Sequence, residues 1–404
     1  MEIKLPKLNE WQQDVFDDIK DNLYDYYVVK AKRQVGKSIL AIDVCLYFAF
    51  KDISIATIIE PTLKQCRRVY KQIIKACGGE SSPLIKGANQ TLLSIEFCNG
   101  SEIVFGSAEQ GDALRGMTVK KSILIIDEAA YIPQDIYEII YPVVDAMHCP
   151  VMLISTPLFC GGEFYTKYMQ GTKDGIVKSY DWSQYDTSIY LSADKLEYYR
   201  STISPLKFKS DYLGQFISEG SYVFGDINTC VGESEGPGRY AGIDWGSGND
   251  GDYTVLTILN DKGEMVDTYS YKDIPPTEQI DKLSDIINGL DLKCVQVELN
   301  SIGNIYYDML RKKVKTRLKG FTTTNESKRR IIEQLITAFN NRKVRVQPEP
   351  ELLKELQHYN IGKTPSGKVT YNGADGVHDD YVLSLAFAYD AYKQGMGSYT
   401  ITFA

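Results

Sequence analysis

Residues 31–38 read Ala31-Lys32-Arg33-Gln34-Val35-Gly36-Lys37-Ser38. This stretch follows the phosphate-loop pattern of a small residue, four variable residues, then Gly-Lys-Ser. An apolar strand containing Val28 and Val29 precedes it, and an apolar, helix-compatible run over residues 39–50 follows it. Between a strand and a helix, the backbone N–H groups of such a loop point at phosphate oxygens, and the helix N-terminus favours negative charge. The stretch therefore predicts a nucleoside triphosphate site on an α/β fold.

The N-terminal half of the chain has the pattern of a parallel α/β sheet, in which apolar strands alternate with helical stretches. The predicted strands are Tyr27–Ala31, Ile53–Ile59, Glu102–Gly106, Ile123–Asp127 and Val151–Thr156. Four of them are continuous apolar runs, as expected when both faces of a sheet are covered. We therefore predict a P-loop ATPase domain over residues 1–200, built as a parallel sheet with flanking helices.

Length, charge and cysteine content limit the class of protein. At 404 residues the chain is long enough for two domains. The formal net charge is −8, which argues against a protein that coats DNA through bulk charge. The sequence has no apolar run of ~18 residues and no signal peptide, so we expect no membrane association. The eight cysteines form no Cys-x-x-Cys pair, which indicates reduced thiols in the cytosol.

A second α/β pattern follows a glycine-rich connector that we place at residues 201–235. The predicted strands are Tyr240–Trp245, Tyr253–Leu259, Met265–Tyr271 and Cys294–Leu299, and the predicted helices are Thr277–Asn288, Asn304–Val314, Ser327–Asn341 and Asp380–Tyr392. The first three strands are separated by short turns, as in a meander. We therefore predict a second domain over residues 236–404.

A pair of acids completes the nucleotide site. The apolar strand from Ile123 ends at Asp127 and Glu128, and in a parallel sheet that end faces the phosphate loop. We expect Lys37 to reach the β- and γ-phosphates of ATP. Ser38 and Asp127 are expected to hold Mg²⁺, and Glu128 to polarise the attacking water. The alternative, a surface Asp-Glu pair, does not explain why both halves of the motif occur in order.

Three further residues fit the same site, although each has an ordinary alternative. Gln12 precedes the phosphate loop and is placed to read the adenine edge, but glutamine is also a common surface residue. Thr156, in Ser155-Thr156-Pro157, is placed to sense the γ-phosphate, or simply ends a strand. Arg115 is placed to reach the γ-phosphate of a neighbouring subunit, or is a plain surface arginine.

Acids at the ends of two strands and one helix predict a second site. Asp244 and Glu298 lie in apolar strands, and Asp379-Asp380 opens the last helix. A buried carboxylate is costly unless it is paired or metal-bound, and such acids suit two Mg²⁺ or Mn²⁺ ions about 3.5–4 Å apart that clamp a phosphodiester. Taken singly, each acid is equally well a turn cap, a strand-edge residue or a helix N-cap. Together they are typical of a ribonuclease H-like nuclease core.

A run of basic residues precedes the last third of the second domain. It comprises Arg311, Lys312, Lys313, Lys315, Arg317, Lys319, Lys328, Arg329 and Arg330. Two interpretations stay open. The run is either a solvated helix face or a DNA contact beside the nuclease site.

Motifs along nearly the whole chain resemble the large terminase subunit of tailed bacteriophages. The similar stretches are Gln12, Arg33-Gln34-Val35-Gly36-Lys37-Ser38, Pro61-Thr62-Leu63-Lys64-Gln65, Ala113-Leu114-Arg115-Gly116, Ile125-Ile126-Asp127-Glu128-Ala129-Ala130, residues 208–216, Val223-Phe224, Asp244, Glu298 and Asp379-Asp380. The chain departs from the family in having Ala31 where the loop usually begins with Gly, and Glu298 where many members carry Asp.

The resemblance implies a P-loop ATPase domain followed by a ribonuclease H-like nuclease domain. It implies a ring of subunits, expected to be a pentamer, that docks on the portal protein and translocates double-stranded DNA by ATP hydrolysis. It also implies a Mg²⁺- or Mn²⁺-dependent endonuclease that cuts the concatemer, a small terminase subunit as partner, and a location in the infected bacterial cytoplasm and transiently at the prohead portal. Ser155-Thr156 would be the coupling motif and Arg115 the trans-acting arginine.

The third metal ligand is ambiguous between two neighbouring acids. We favour Asp380 as the ligand, with Asp379 as a support or second-metal ligand, and Asp252 is a further candidate. Two rival functions are a DNA repair helicase-nuclease and a non-catalytic adaptor in virion assembly. A helicase would normally carry a second motor domain where the predicted nuclease lies, and an adaptor would not need Lys37 and Glu128.

Overall fold

The computed structural model describes residues 6–171, 175–185, 191–218, 220–246, 253–300, 302–364 and 368–396. The chain folds into two compact units. The first, here the N-terminal unit, comprises Met1–Glu197, Leu206–Glu219 and Thr364–Lys368. The second, here the C-terminal unit, comprises Tyr198–Pro205, Gly220–Lys363 and Val369–Ala404.

The N-terminal unit is built on an eight-stranded sheet of order β3-β4-β5-β2-β6-β7-β1-β8. Its strands are β1 (Tyr26–Lys30), β2 (Ile55–Glu60), β3 (Ile85–Asn89), β4 (Ser94–Phe97), β5 (Glu102–Ser107), β6 (Leu124–Asp127), β7 (Val151–Ser155) and β8 (Val177–Asp181). The helices are α1 (Glu10–Lys20), α2 (Lys37–Lys51), α3 (Leu63–Ala76), α4 (Gly111–Leu114), α5 (Gln134–Met147), α6 (Gly162–Gln170), α7 (Ala193–Thr202) and α8 (Pro205–Leu213), the last two at the borders of the unit.

Neighbouring strand residues pack on opposite faces of this sheet. Val29 of β1, Ile58 of β2 and Ile125 of β6 belong to one core, together with residues of α2 and α3. Val28, Ile59 and Ile126 belong to a second core that includes residues of α5. Because both faces are covered, the strands are continuous apolar runs rather than alternating ones. The five predicted strands are confirmed to within two residues at each end.

The predicted parallel sheet is extended at one edge by antiparallel strands. Strands β3, β4 and β5 pair antiparallel, whereas β5, β2, β6, β7, β1 and β8 run parallel. Strand β3 reads Ile-Lys-Gly-Ala-Asn and is largely exposed, so it has no apolar run by which the sequence could identify it. Strand β8 was also missed, because four of its five residues are only half-buried.

The C-terminal unit contains a five-stranded sheet of order β11-β10-β9-β12-β13 and a hairpin β14-β15. The strands are β9 (Tyr240–Asp244), β10 (Thr254–Leu259), β11 (Met265–Tyr271), β12 (Cys294–Glu298), β13 (Leu318–Phe321), β14 (Tyr359–Lys363) and β15 (Val369–Gly373). The helices are α9 (Pro276–Gly289), α10 (Gly303–Arg311), α11 (Asn325–Asn340), α12 (Pro350–Gln357) and α13 (Asp380–Met396). The predicted meander is confirmed, since β10 pairs antiparallel with both β9 and β11.

Helix α13 lies directly against β9. A Cβ at Gly242 of β9 would stand 2.2 Å from the Ser384 carbonyl oxygen, so only glycine permits this approach. The Ser384 hydroxyl donates to the Gly242 carbonyl at 2.9 Å. Close packing between α13 and the sheet therefore fixes the start of α13 relative to the strand ends.

The residues that we expected to form a connector include a helix. Helix α8 occupies Pro205–Leu213, and a 3-10 helix occupies Ile227–Cys230. The glycines that suggested a connector begin only at Gly220, whereas residues 205–213 have none and start with a proline, which is favourable at the first helical position. Within the residues that the structure describes, no helix is long and apolar enough to cross a membrane.

Candidate active sites

The phosphate loop of the N-terminal unit turns into α2 at Gly36. Gly36 has a φ of 88°, and a Cβ there would stand 2.3 Å from Gln12 Nε2, so both conformation and space require glycine. Gln12 Nε2 donates to the Gly36 carbonyl at 2.9 Å, and Gln12 Oε1 accepts from the Asn9 N–H at 2.8 Å. Gln12 is buried and thus ties α1 to the loop. Its predicted contact with adenine stays a prediction.

Three predicted ATPase residues meet beside this loop. Lys37 Nζ lies 3.4 Å from Glu128 Oε1, and Thr156 Oγ1 donates to Glu128 Oε2 at 3.2 Å. The positive φ of Glu128, 49°, bends the chain immediately after β6. The Glu128 carboxylate is therefore held from two sides at the carboxyl end of the sheet, with Lys37 at the start of α2.

Two buried acids stand next to each other at the same strand ends. Asp127 ends β6, and Glu60 ends the neighbouring strand β2, where Ile59 pairs with Ile126. Burial, and then Glu128, raises the pKa of Asp127 to about 6. Burial, and then Asp127 and Glu128, raises the pKa of Glu60 to about 9. Among the described residues, neither carboxyl oxygen of Glu60 has a hydrogen-bond partner.

Glu60 was missed by the sequence analysis, although a signal was present. It ends an apolar strand in the same manner as Asp127, directly before Pro61-Thr62. Carboxylate oxygens, with the Ser38 hydroxyl in the first turn of α2, are the donors that Mg²⁺ and its bound waters require. The unpartnered oxygens of Glu60 and the buried Asp127 therefore fit a Mg²⁺-nucleotide.

The two arginines of the predicted site have different environments. Arg33 Nε lies 3.0 Å from Asp211 Oδ2, and the Arg33 N–H donates to the Asp211 carbonyl at 2.7 Å. Asp211 is a buried residue of α8. Arg115 follows α4 with its side chain 68% exposed and its Nε 3.6 Å from Asp112 Oδ1. Arg33 is thus anchored within the N-terminal unit, whereas Arg115 lies on its surface.

The acids of the second site gather at one end of the sheet in the C-terminal unit. Asp244 ends β9 and Glu298 ends β12, and these strands are parallel neighbours with Val297 opposite Ile243. Burial raises the pKa of Asp244 well above its ordinary value, with further contributions from Glu298, Asp380 and Asp379. Glu298, Asp379 and Asp380 thus all act on the Asp244 carboxyl group, and their joint role as a metal site stays a prediction.

Asp379 and Asp380 have different partners. Asp380 Oδ2 accepts from the Tyr253 backbone N–H at 2.8 Å. Asp379 Oδ2 accepts from the Tyr359 hydroxyl at 3.1 Å and from Lys328 Nζ at 2.8 Å. The carboxylate of Asp379 is therefore ion-paired with Lys328. The carboxylate of Asp380 accepts from the backbone directly before β10.

A fifth acid supports the start of α13. Glu355 of α12 is buried, and its Oε2 accepts from the Val382 N–H at 2.9 Å. The pKa of Glu355 is raised to about 9, chiefly by burial and also by Asp380 and Asp379, while the Val382 N–H acts in the opposite direction. Glu355 and Tyr359 carried no signal in the sequence, and Lys328 stood out only as one member of the basic run. Tertiary folding alone brings these three residues to Asp379 and Asp380.

Within the described residues, no three Asp, Glu, His or Cys side chains are gathered into a ready-made metal centre. Asp252 lies outside the described residues. The donor chemistry of Asp244, Glu298 and Asp380 nevertheless fits a divalent cation, since these are hard oxygen ligands whose mutual repulsion a cation would relieve.

The basic run does not form one surface beside this site. The Arg317 carbonyl accepts from the Val295 N–H, near the start of β12, and Glu298 lies about 10 Å further along that strand. Arg329 pairs with Glu333 and Arg330 with Asp390. Helix α10 and strand β13 therefore place residues 311–317 at the opposite end of the sheet from the acids, which favours a solvated face for them. A DNA contact by the run stays a prediction. Lys328 alone among these named residues is seen at the acids.

A P-loop ATPase domain joined to a ribonuclease H-like nuclease domain is the class of protein that this fold and these two sites define. The family model of the terminase RNaseH-like domain matches residues 241–391. The large terminase subunit of Thermus virus P23-45 is 24% identical over 321 residues, which cover 72% of this chain and 66% of that protein. The chain is therefore similar to large terminase subunits, and its residues 241–391 match their RNaseH-like domain.

Solved structures agree with this fold. A large terminase from a thermophilic bacteriophage has a TM-score of 0.67 at 15% identity, covering 96% of this chain and 99% of that one. The complex of the same phage protein with ADP has a TM-score of 0.64 at 16% identity, covering 97% and 100%. The curated relative from Thermus virus P23-45 extends beyond the matched region, which spans slightly less than two thirds of its length.

Proposed function

We propose that this protein is a viral DNA-packaging motor that hydrolyses ATP to move double-stranded DNA into a prohead and cuts concatemeric DNA with a Mg²⁺- or Mn²⁺-dependent endonuclease. One observation carries the proposal: in each of the two units, strands of a sheet end in buried acids, and in the N-terminal unit these acids lie beside a phosphate loop. The match to the terminase RNaseH-like domain and the similarity to large terminase subunits support it.

In the ATPase site, the chain's own groups bind and orient the reactants. The loop N–H groups and Lys37 bind phosphate oxygens, and Gly36 permits the close turn into α2. Ser38 and Asp127 hold Mg²⁺, which neutralises charge on the transferred phosphoryl group when bound. Glu128, held by Thr156, orients the attacking water. Gln12 and Arg33 bind the nucleotide, and Arg115 acts on the site of a neighbouring subunit.

In the nuclease site, Asp244, Glu298 and Asp380 hold the metal ions, with Asp379 as their support or a second-metal ligand. Bound divalent cations supply charge stabilisation for the attacking and leaving oxygens of a phosphodiester. The Tyr253 N–H orients Asp380, and Glu355 holds the first turn of α13 in place.

The domain limits and partners complete the proposal. The ATPase domain comprises residues 1–200, the connector 201–235 and the nuclease domain 236–404. The subunits assemble as a ring, a pentamer, on the portal protein, and the small terminase subunit delivers the DNA. The protein acts in the cytoplasm of an infected bacterium and transiently at the prohead portal.

ATP hydrolysis by purified protein with DNA and portal tests the motor. Turnover that Glu128→Gln reduces to background supports it, because the amide cannot polarise water as the carboxylate does. Turnover that does not depend on Glu128 favours a non-catalytic adaptor. Glu109→Gln, which changes an exposed acid of the same unit, is the matched control.

Plasmid cutting in Mn²⁺ tests the nuclease separately. Asp244→Ala is expected to abolish cutting while ATP turnover is retained. Cutting at the parental rate by Asp244→Ala would remove the second site from the proposal and leave the ATPase intact.

A further inference from the structure

Lys328 is a half-buried cation that has no role in the chemistry proposed above. It lies in the first turn of α11, which begins at Asn325 just after β13. Only 16% of its side chain is exposed, against 23% for that of its partner Asp379. A solvated lysine of a basic patch would be far more exposed. Lys328 therefore differs in its burial from Arg311 and Lys312, which are exposed.

The ammonium group of Lys328 is fixed by several acceptors. Its Nζ lies 2.8 Å from Asp379 Oδ2 and 3.0 Å from Asn372 Oδ1, a residue of β15. The buried Tyr359 hydroxyl donates to the same Asp379 oxygen at 3.1 Å. An ion pair removed from water is retained when further hydrogen bonds satisfy both partners. Lys328 and Asp379 are therefore held in one arrangement.

The ion pair distinguishes the two neighbouring aspartates. Asp379 Oδ2 receives two donors, one of them positively charged, whereas Asp380 Oδ2 receives the Tyr253 N–H. A divalent cation that approached Asp379 Oδ2 would meet the Lys328 ammonium within a few ångströms. Like charges at such separations repel each other more strongly near a protein surface than in bulk water.

We propose that Lys328 is a positioning residue of the nuclease site: its ion pair with Asp379 leaves Asp380 as the direct metal ligand, and its charge weakens the binding of divalent cations. The inference rests on the proposed nuclease activity. The site then binds a second divalent cation only when a DNA phosphate adds negative charge beside it. Cutting is therefore restricted to bound DNA.

Calorimetric titration of the full chain with Mn²⁺ alone, without nucleotide, tests this role. The signal of the nuclease site is the part that Asp244→Ala removes. Lys328→Met is expected to bind Mn²⁺ about tenfold more tightly, because the ammonium charge is gone. Lys328→Arg keeps the charge and is expected to bind as the parent does. Lys312→Met, at the exposed end of α10, is the matched control and is expected to change nothing.

The second measurement is plasmid cutting at saturating Mn²⁺. Lys328→Met is expected to cut at least tenfold more slowly despite tighter metal binding, and Lys328→Arg to recover most of the rate. Parental or weaker Mn²⁺ affinity in a folded Lys328→Met would overturn the inference. If Lys328→Met does not fold, Asp379→Asn replaces it. A smaller loss of Mn²⁺ affinity in Asp379→Asn than in Asp380→Asn supports the inference, and an equal or larger loss overturns it.

The two proposals fail in different ways. Cutting that survives Asp244→Ala would refute the nuclease assignment. Mn²⁺ affinity that does not respond to the charge at position 328 would refute the role of Lys328 alone.

Discussion

The two acidic sites are built in the same way from acids at strand ends, but different groups surround the acids. In both, carboxylates stand at the carboxyl ends of parallel strands, which is where open α/β sheets bind ligands. In the N-terminal unit, Lys37 lies 3.4 Å from Glu128 and a phosphate loop adjoins the acids. In the C-terminal unit, Glu298 and Asp380 act electrostatically on Asp244, and among the described residues no phosphate loop adjoins them. The first arrangement suits an anion that arrives with its metal, and the second suits cations.

The pKa shifts of the buried aspartates, Asp127 and Asp244, also differ between the two sites. Burial is the leading cause at both Asp127 and Asp244, but Lys37 acts against it at Asp127. The pKa of Asp127 is raised to about 6, whereas that of Asp244 is raised well above its ordinary value by burial and three neighbouring acids. A divalent cation would relieve the repulsion among the acids at both sites, and Lys37 already counters part of it at Asp127.

The largest expected effect separates the two sites. Lys37→Ala removes the cation that binds the phosphates, so we expect ATP turnover to fall by at least about 100-fold. Mn²⁺-dependent cutting of plasmid DNA is expected to stay at the parental rate, because its acids belong to the other unit. Loss of both activities in a folded variant would contradict the division into two independent sites.

The next prediction concerns the aspartate pair within the second site. Asp380→Asn removes a direct ligand, and we expect cutting to fall by at least about 100-fold. Asp379→Asn keeps the hydrogen-bonding shape and is expected to cost about tenfold. Rates measured at saturating Mn²⁺ check the order. The reverse order would assign direct metal binding to Asp379.

A smaller effect is expected at the contact that orients Glu128. Thr156→Val removes the hydroxyl that donates to Glu128 at 3.2 Å, so we expect hydrolysis to slow about tenfold with little change in nucleotide affinity. Single-turnover kinetics and fluorescent nucleotide binding measure the two separately. Thr156→Ser retains the hydroxyl and serves as control. A parental hydrolysis rate in Thr156→Val would remove this contact from the mechanism.

The smallest expected effect concerns stability. Asp43 of α2 is 7% exposed, and burial raises its pKa from 3.8 to about 6. The unfolded chain then loses this proton at lower pH than the folded chain, so the contribution of Asp43 to stability falls as pH rises from 4 to 6. We expect Asp43→Asn to stabilise the protein by about 1–2 kcal/mol at pH 8.

Thermal unfolding at two pH values checks this prediction. The gain in Tm should be a few degrees at pH 8 and should shrink as the pH falls below 4, where Asp43 becomes mostly protonated in both states. A gain that does not depend on pH would show that packing, not charge, is responsible. ATP turnover and cutting are expected not to change.

Much of the fold was predictable because its signals are local. The types and spacing of their residues predict the phosphate loop at residues 31–38 and the apolar strand that ends at Asp127. Composition alone predicts the strands Met265–Tyr271 and Cys294–Glu298. Strands β3 and β8 were missed because their residues are half-buried or exposed, so that pairing with β4 and β1 rather than composition makes them strands.

The sequence by itself determined which groups carry the chemistry: a phosphate loop with Lys37, and acids at the ends of apolar strands and at the start of α13. Only the tertiary structure decided how those groups are arranged. Helix packing placed Lys328 on Asp379 and moved residues 311–317 to the far end of the sheet, and strand order put Glu60 beside Asp127. The reason is physical: a motif depends on neighbours along the chain, whereas electrostatic environment depends on neighbours in space.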